Sequence, residues 1–223
     1  MSQIATLSAV ESQPKSGKKA KSLVILLHGL GANADDLYDI IPEFDKHLPD
    51  THFISINAPY TCDMMPFGRQ WFSMTTWTES AILEGIRNVE PILNNYIEEQ
   101  KSRFSIDDKD IALLGFSQGS ILSLHTSLRR KTALAGVLAY SGMIIAPQTL
   151  KTELQAKTPV CLVHGTFDFV VPFAQFNTSV EALETYHIPH EAYPIDGLAH
   201  GIDWQGINIG VDFLKKQLNY LQK

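Results

Sequence analysis

The apolar positions of this chain change period repeatedly, and each change marks an element. Residues 23–27 form a continuous apolar run that stops at His28-Gly29-Leu30-Gly31, the pattern of a strand buried on both faces that ends in a glycine turn. Leu37, Ile40, Ile41, Phe44 and Leu48 then recur at three- and four-residue spacing behind Asp35 and Asp36. That spacing predicts an amphipathic helix with acidic residues at its N-terminus. A second strand is expected at 52–57. Ile82, Ile86, Val89, Leu93, Tyr96 and Ile97 mark the next helix, which Pro91 should kink or divide in two. Strand 110–114, helix 118–129, strands 134–140 and 159–164, helix 173–186, strand 191–194 and a closing helix 204–221 complete the pattern.

Strands alternating with helices predict an α/β fold, a mostly parallel central sheet with helices on both faces. Nothing repeats at a fixed period and no linker divides the chain, so residues 22–223 are read as a single domain. Residues 1–21 form an N-terminal segment expected to add an edge strand. With 223 residues and 44% of them hydrophobic, the chain has the material for one large core.

The formal net charge of -6 provides no extended positive field for a phosphate backbone, so nucleic acid is not an expected partner. Cys62 and Cys161 are the only cysteines, and Cys161 lies in an apolar run where a thiol acts as a small buried hydrophobe; no disulfide framework is expected. The first thirty residues lack a basic start followed by an apolar stretch, and no run reaches membrane-spanning length. A cytoplasmic location without stable membrane insertion follows as the expectation. Lys15, Lys18, Lys19 and Lys21, interspersed with Pro14, Ser16 and Gly17, read as a solvated loop.

The chemistry concentrates at Gly115-Phe116-Ser117-Gln118-Gly119. This G-x-S-x-G lies between a buried strand and an amphipathic helix, the context in which it becomes a nucleophile elbow with a strained serine flanked by residues that must be small. A serine hydroxyl needs an adjacent base, itself oriented by a carboxylate. In the α/β-hydrolase fold these follow in the order Ser, Asp or Glu, His at the ends of later strands. Asp168 lies just past strand 159–164 and His200 just past strand 191–194. Asp168 has an alternative reading as a cap for the helix that starts after Pro172. Asp196 and Asp203 are rival acids on the wrong side of the last strand for that order. The developing oxyanion needs fixed donors, for which the backbone amides of Leu30 and Gln118 are the candidates. His28 reads as an architectural residue that orients the first turn. A metal-dependent hydrolase using His28, His164, Asp168 and His200 would lack any close ligand spacing.

Taken in order, His28-Gly29-Leu30-Gly31, Asn57-Ala58-Pro59, Gly68-Arg69-Gln70-Trp71-Phe72, Gly115-Phe116-Ser117-Gln118-Gly119, His164-Gly165 with Asp168 and Val171-Pro172, and Gly197 with His200 resemble the motifs of a known family. It is the phospholipase/carboxylesterase group of α/β hydrolases, which includes acyl-protein thioesterases and lysophospholipases. The resemblance implies a compact α/β-hydrolase without a large cap domain and needing neither metal nor organic cofactor, with Leu30 and Gln118 supplying the oxyanion amides. The chain departs from the family pattern at Ser120, Thr166 and Ser73, none of them in the triad.

The long loop 58–77 carries Met64, Met65, Phe67, Trp71, Phe72, Met74 and Trp77 with few charges. It reads either as an irregular cover packing its aromatics into the core or as the wall of an acyl pocket. The second reading is preferred, with Met65, Phe67, Trp71 and Phe72 as substrate-binding residues, joined by Phe169 and Val170 beside the acid. The expected function is hydrolysis of small carboxylic esters or thioesters of short to medium acyl chains through an acyl-enzyme on Ser117, by a monomer or homodimer. The alternative substrate is an acylated protein or a lysophospholipid at a membrane surface. A ligand receptor on the same fold is the reading from outside enzymology.

Overall fold

The computed structural model describes residues 7–220. In chain order its strands and helices are β1 (Ala9–Ser12), β2 (Ser22–Leu27), α1 (Ala34–Tyr38), α2 (Ile41–Asp45), β3 (Thr51–Ile56), β4 (Tyr60–Thr61), β5 (Arg69–Gln70), α3 (Glu79–Phe104), β6 (Ile111–Phe116), α4 (Gln118–Arg129), β7 (Gly136–Tyr140), α5 (Leu150–Glu153), β8 (Val160–Gly165), α6 (Phe173–Thr185), β9 (His190–Ile195) and α7 (Trp204–Gln217). Seven strands form one sheet in the order β1-β3-β2-β6-β7-β8-β9. Only β1 runs antiparallel, on the outer edge of β3. It is the edge strand expected within residues 1–21, of which 1–6 lie outside the described residues.

Burial on both faces explains why the inner strands lack polar alternation. Along β2, Leu23, Ile25 and Leu27 point into the core beneath α3, α4 and α6, whereas Val24 and Leu26 point into the one beneath α1, α2 and α7. The result is three layers, and the strand order locates the site. From β2 the chain steps outward to β3, then returns to the other side of β2 as β6. The crevice at the carboxyl ends of β2 and β6 is therefore a topological switch point, where open α/β sheets hold their ligands.

Three expectations need correction. The helix read across 37–48 is two short ones, because Pro42 in the first turn of α2 lacks an N–H and its ring collides with the preceding turn, so a new helix starts there. Asn33 and Asp36 cap α1 reciprocally. Pro91, by contrast, does not divide the helix: it lies within a single 26-residue α3. Both Pro91 and Arg87, whose carbonyl it leaves without a donor, are exposed, so water can reach the face where the bond is lost. The closing helix ends at Gln217, and Leu221, its expected end, lies outside the described residues. Loop 58–77 contains only the short β4–β5 ribbon, and among the described residues no inserted domain covers this edge of the sheet.

Replacing Pro91 with Ala should therefore stabilise the protein. The restored helical bond and relieved clash outweigh the roughly 0.4–1 kcal/mol of unfolded-state entropy that Pro removes, for a net gain of about 1–2 kcal/mol. Urea unfolding followed by circular dichroism measures it; an unchanged or lowered midpoint would contradict the reading of α3.

Candidate active site

Ser117 occupies the tight reversal between β6 and α4, with φ 53° and ψ -117°, a region that costs free energy for any residue with a Cβ. Its neighbours must give way to it. A Cβ on Gly115 would stand 2.5 Å from the Ser120 backbone, and one on Gly119 would stand 2.0 Å from the Leu27 carbonyl oxygen. The Ser117 amide donates to the Tyr140 carbonyl at 2.9 Å, and its own carbonyl accepts from Ile121. The side chain is thus presented at the N-terminus of α4.

His200 arrives from the loop between β9 and α7. Its Nε2 lies 3.0 Å from Ser117 Oγ, and its Nδ1 lies 2.7 Å from Asp168 Oδ2. A carboxylate accepts only, so the proton sits on Nδ1 and the bare Nε2 faces the serine hydroxyl. The Phe116 ring packs against the imidazole at 4.9 Å between centroids.

Asp168 is buried, and three donors converge on it, with the His164 ring close by. Oδ1 accepts from the amides of Val170 at 2.9 Å and Val171 at 2.8 Å; Oδ2 faces His200 and, at 3.3 Å, His164 Nε2. The capping alternative does not hold: α6 has Pro172 at its N-cap with no side-chain cap bond, and Asp168 Oδ1 instead closes the turn at 168–171 while Oδ2 meets the imidazole. The rivals are engaged elsewhere: Asp203 caps α7 through the Gly206 amide, and Asp196 accepts from Thr166. His28 accepts the Ala58 amide on Nε2 at 3.0 Å, which puts its proton on Nδ1 toward the Gly29 carbonyl. That makes it a brace for the first turn, as expected. Among the described residues, no three His, Cys, Asp or Glu side chains converge to hold a metal ion.

Leu30, Ser117 and Gln118 line one cavity of about 630 Å³. Gln118 opens α4, so its amide has no partner within the helix. Among the described residues the Leu30 amide donates to no protein acceptor. The cavity wall differs from the expectation. Of the six side chains assigned to it, Val170 lines the cavity. Trp71 and Phe72 are buried in the core instead, as the less favoured reading of the loop has it. Met65, Phe67 and Phe169 are exposed and do not line the cavity, Phe67 at 97% and Phe169 at 86% exposure. The β4–β5 ribbon turns 63–67 outward, and Met65 Sδ lies over Gly31.

The actual wall combines Met74 and Trp77 from that loop with Ile82 of α3, Ile121 of α4, Met143, Ile144 and Ile145 after β7, and Val171 before α6. Ile82 was legible only as a core position. The run Met143-Ile144-Ile145 carried a usable signal, being apolar residues just past the carboxyl end of a central strand.

Burial shifts several imidazoles. His28, His52, His125 and His164 all have pKa values lowered chiefly by desolvation; the carboxylates of Glu11 beside His52, Glu90 beside His125 and Asp168 beside His164 only partly offset it. Each is harder to protonate in the folded than in the unfolded chain, so below about pH 6.5 the unfolded state binds more protons and stability falls as pH falls. Each such histidine contributes up to about 1.4 kcal/mol per pH unit in that window. Carboxylates with lowered pKa values act only further down. Unfolding free energy should hold between pH 8 and 7 and decline between pH 6.5 and 5; a level or rising profile there contradicts the neutral assignment.

Most of the chain is similar to known proteins. A family model described as phospholipase/carboxylesterase matches residues 8–218. The esterase YpfH of Escherichia coli K12 is 28% identical over 89% of this chain and 84% of its own length, and acyl-protein thioesterase 1 of Kluyveromyces lactis is 28% identical over 95% and 98%. The crystal structure of esterase PE8 superposes with a TM-score of 0.91 at 34% identity, covering 95% of this chain and 99% of that one. With its mostly parallel sheet and this match over residues 8–218, the chain has the α/β-hydrolase fold and belongs to the phospholipase/carboxylesterase family.

Proposed function

We propose that the protein is a serine hydrolase that cleaves carboxylic esters and thioesters through an acyl-enzyme on Ser117. The observation that carries this is the hydrogen-bonded line from Ser117 Oγ through His200 to Asp168, set beside an apolar cavity. Ser117 Oγ attacks the acyl carbon while His200 Nε2 takes its proton. The Leu30 and Gln118 amides hold the oxygen that becomes negative. Collapse expels the alcohol or thiol, which takes the proton from His200, and water activated by the same nitrogen then releases the acid. Asp168 keeps its charge throughout and orients the imidazole. Relatives named esterase and acyl-protein thioesterase support this class of bond.

The substrate reading is a small ester or thioester of short to medium acyl chain. One observation favours an acylated protein or lysophospholipid as the second reading: Met64, Met65, Phe67, Trp77, Phe167 and Phe169 expose large apolar surface in loops that adjoin the site.

The test is kcat/KM across p-nitrophenyl esters from acetate to palmitate, beside Ser117→Ala. The account expects a maximum at short to medium chains and loss of nearly all turnover in the variant; more than a tenth retained removes Ser117 from the mechanism. Charge offers a second test. Among the described residues that line the cavity, Glu79 is the one ionisable side chain, hydrogen-bonded to Gln148 at 2.9 Å. An acyl chain ending in a carboxylate should react about fivefold more slowly than its neutral isostere, on the order of 1 kcal/mol for like charges several ångströms apart near a surface. Glu79→Gln should close that gap, and a gap that persists assigns the discrimination elsewhere.

A further inference from the structure

The two amides proposed for the oxyanion come from different parts of the chain, Leu30 from the turn after β2 and Gln118 from the start of α4. A donor pair works only if its spacing is fixed before charge develops. Segment 68–72 lies between the two turns and is bonded to both. On the Leu30 side, the Gly31 amide donates to the Arg69 carbonyl at 2.9 Å and the Arg69 amide to the Ala32 carbonyl at 2.9 Å. Trp71 Nε1 donates to the His28 carbonyl at 2.9 Å. The approach is so close that a Cβ on Gly68 would meet the Gly31 carbonyl oxygen at 2.2 Å.

On the other side, the segment is held by one side chain. Gln118 is 3% exposed; its Oε1 accepts from the Trp71 amide at 2.8 Å and its Nε2 donates to the Phe72 carbonyl at 2.7 Å. A primary amide is suited to this position because it presents an acceptor and a donor side by side, as an adjoining strand would.

We propose that the Gln118 side chain is a positioning residue: by clamping residues 71–72 it links the turn that carries the Leu30 amide to the helix that carries the Gln118 amide and fixes the spacing of the two donors. The inference rests on the acyl-enzyme reading above. Loop 58–77 then acts mainly as the frame of the oxyanion site, and only through Met74 and Trp77 as pocket wall. A linkage of this kind changes the stabilisation of the tetrahedral state and leaves ground-state binding nearly untouched.

Gln118→Met keeps the length of the side chain and removes both bonds while leaving the backbone amide in place. With a p-nitrophenyl ester at a temperature where circular dichroism shows the variant folded, kcat should fall about 10- to 100-fold with KM within about threefold, less than the full loss of a donor. A trifluoromethyl ketone, which forms an oxyanion on addition of the serine hydroxyl, should lose affinity by the same factor as kcat/KM. A folded variant with kcat within threefold of wild type overturns the linkage, as does a loss confined to KM with ketone affinity retained. Should the variant not fold, Trp71→Phe cuts the same frame at the His28 carbonyl and should show the same paired loss on a smaller scale; unchanged kcat and ketone affinity there overturn the proposal. The two readings separate cleanly: wild type without esterase activity, or Ser117→Ala with it, brings down the acyl-enzyme and the linkage together, whereas an active wild type beside an equally active Gln118→Met brings down the linkage alone.

Discussion

The first turn of α4 lies so close to the end of β2 that nothing larger than hydrogen fits on the Cα of Gly119, 2.0 Å being the distance a Cβ would have from the Leu27 carbonyl oxygen. From this contact the rest of the site follows. It forces the reversal between β6 and α4 into a single turn, places Ser117 at positive φ, and aims the α4 N-terminus at the space above β2. Because β2 and β6 are adjacent and parallel, the same contact brings the turn after β2 alongside the serine. Strain of this sort persists only where the surroundings over-determine it, and here two buried strands and the Tyr140 carbonyl do so.

Around that point the polar groups are arranged to leave little freedom. Asp168 has three donors on two oxygens, one of them His200 Nδ1, which leaves His200 one tautomer. His28, in the turn after β2, and His164, 3.3 Å from Asp168, are held neutral by burial and spend their protons on backbone carbonyls. The imidazole not committed to a backbone carbonyl is thus the one that faces the serine, and the cavity beside it is lined mostly by apolar side chains.

Much of this was legible in the sequence for a physical reason. Strands buried on both faces must be continuously apolar and amphipathic helices must repeat near 3.6, so β2, β6, α4 and β8 could be placed to within a residue or two. Chain order along a parallel sheet then singled out Asp168 and His200. Where the reading failed, the deciding quantity was absent from the pattern. Pro91 is tolerated because it and Arg87, whose carbonyl loses its donor, lie on the exposed face of α3, a fact about burial rather than composition. Trp71, Phe72, Phe67 and Phe169 are equally apolar on paper, yet two point into the core and two into solvent, because side-chain direction in an aperiodic loop is set by tertiary bonds such as those of Gln118. Met143 to Ile145 belong to no helix or strand, so periodicity could not mark them as pocket wall.

The central claim is that one side chain carries the acyl group. Treating the native protein with a fluorophosphonate and mapping the adduct by peptide mass spectrometry tests it directly, because such reagents label only a serine activated by a neighbouring base. The account predicts a single adduct on the peptide containing Ser117, absent when His200 is replaced by Gln. An adduct on any other residue, or none on the folded native protein, would contradict it.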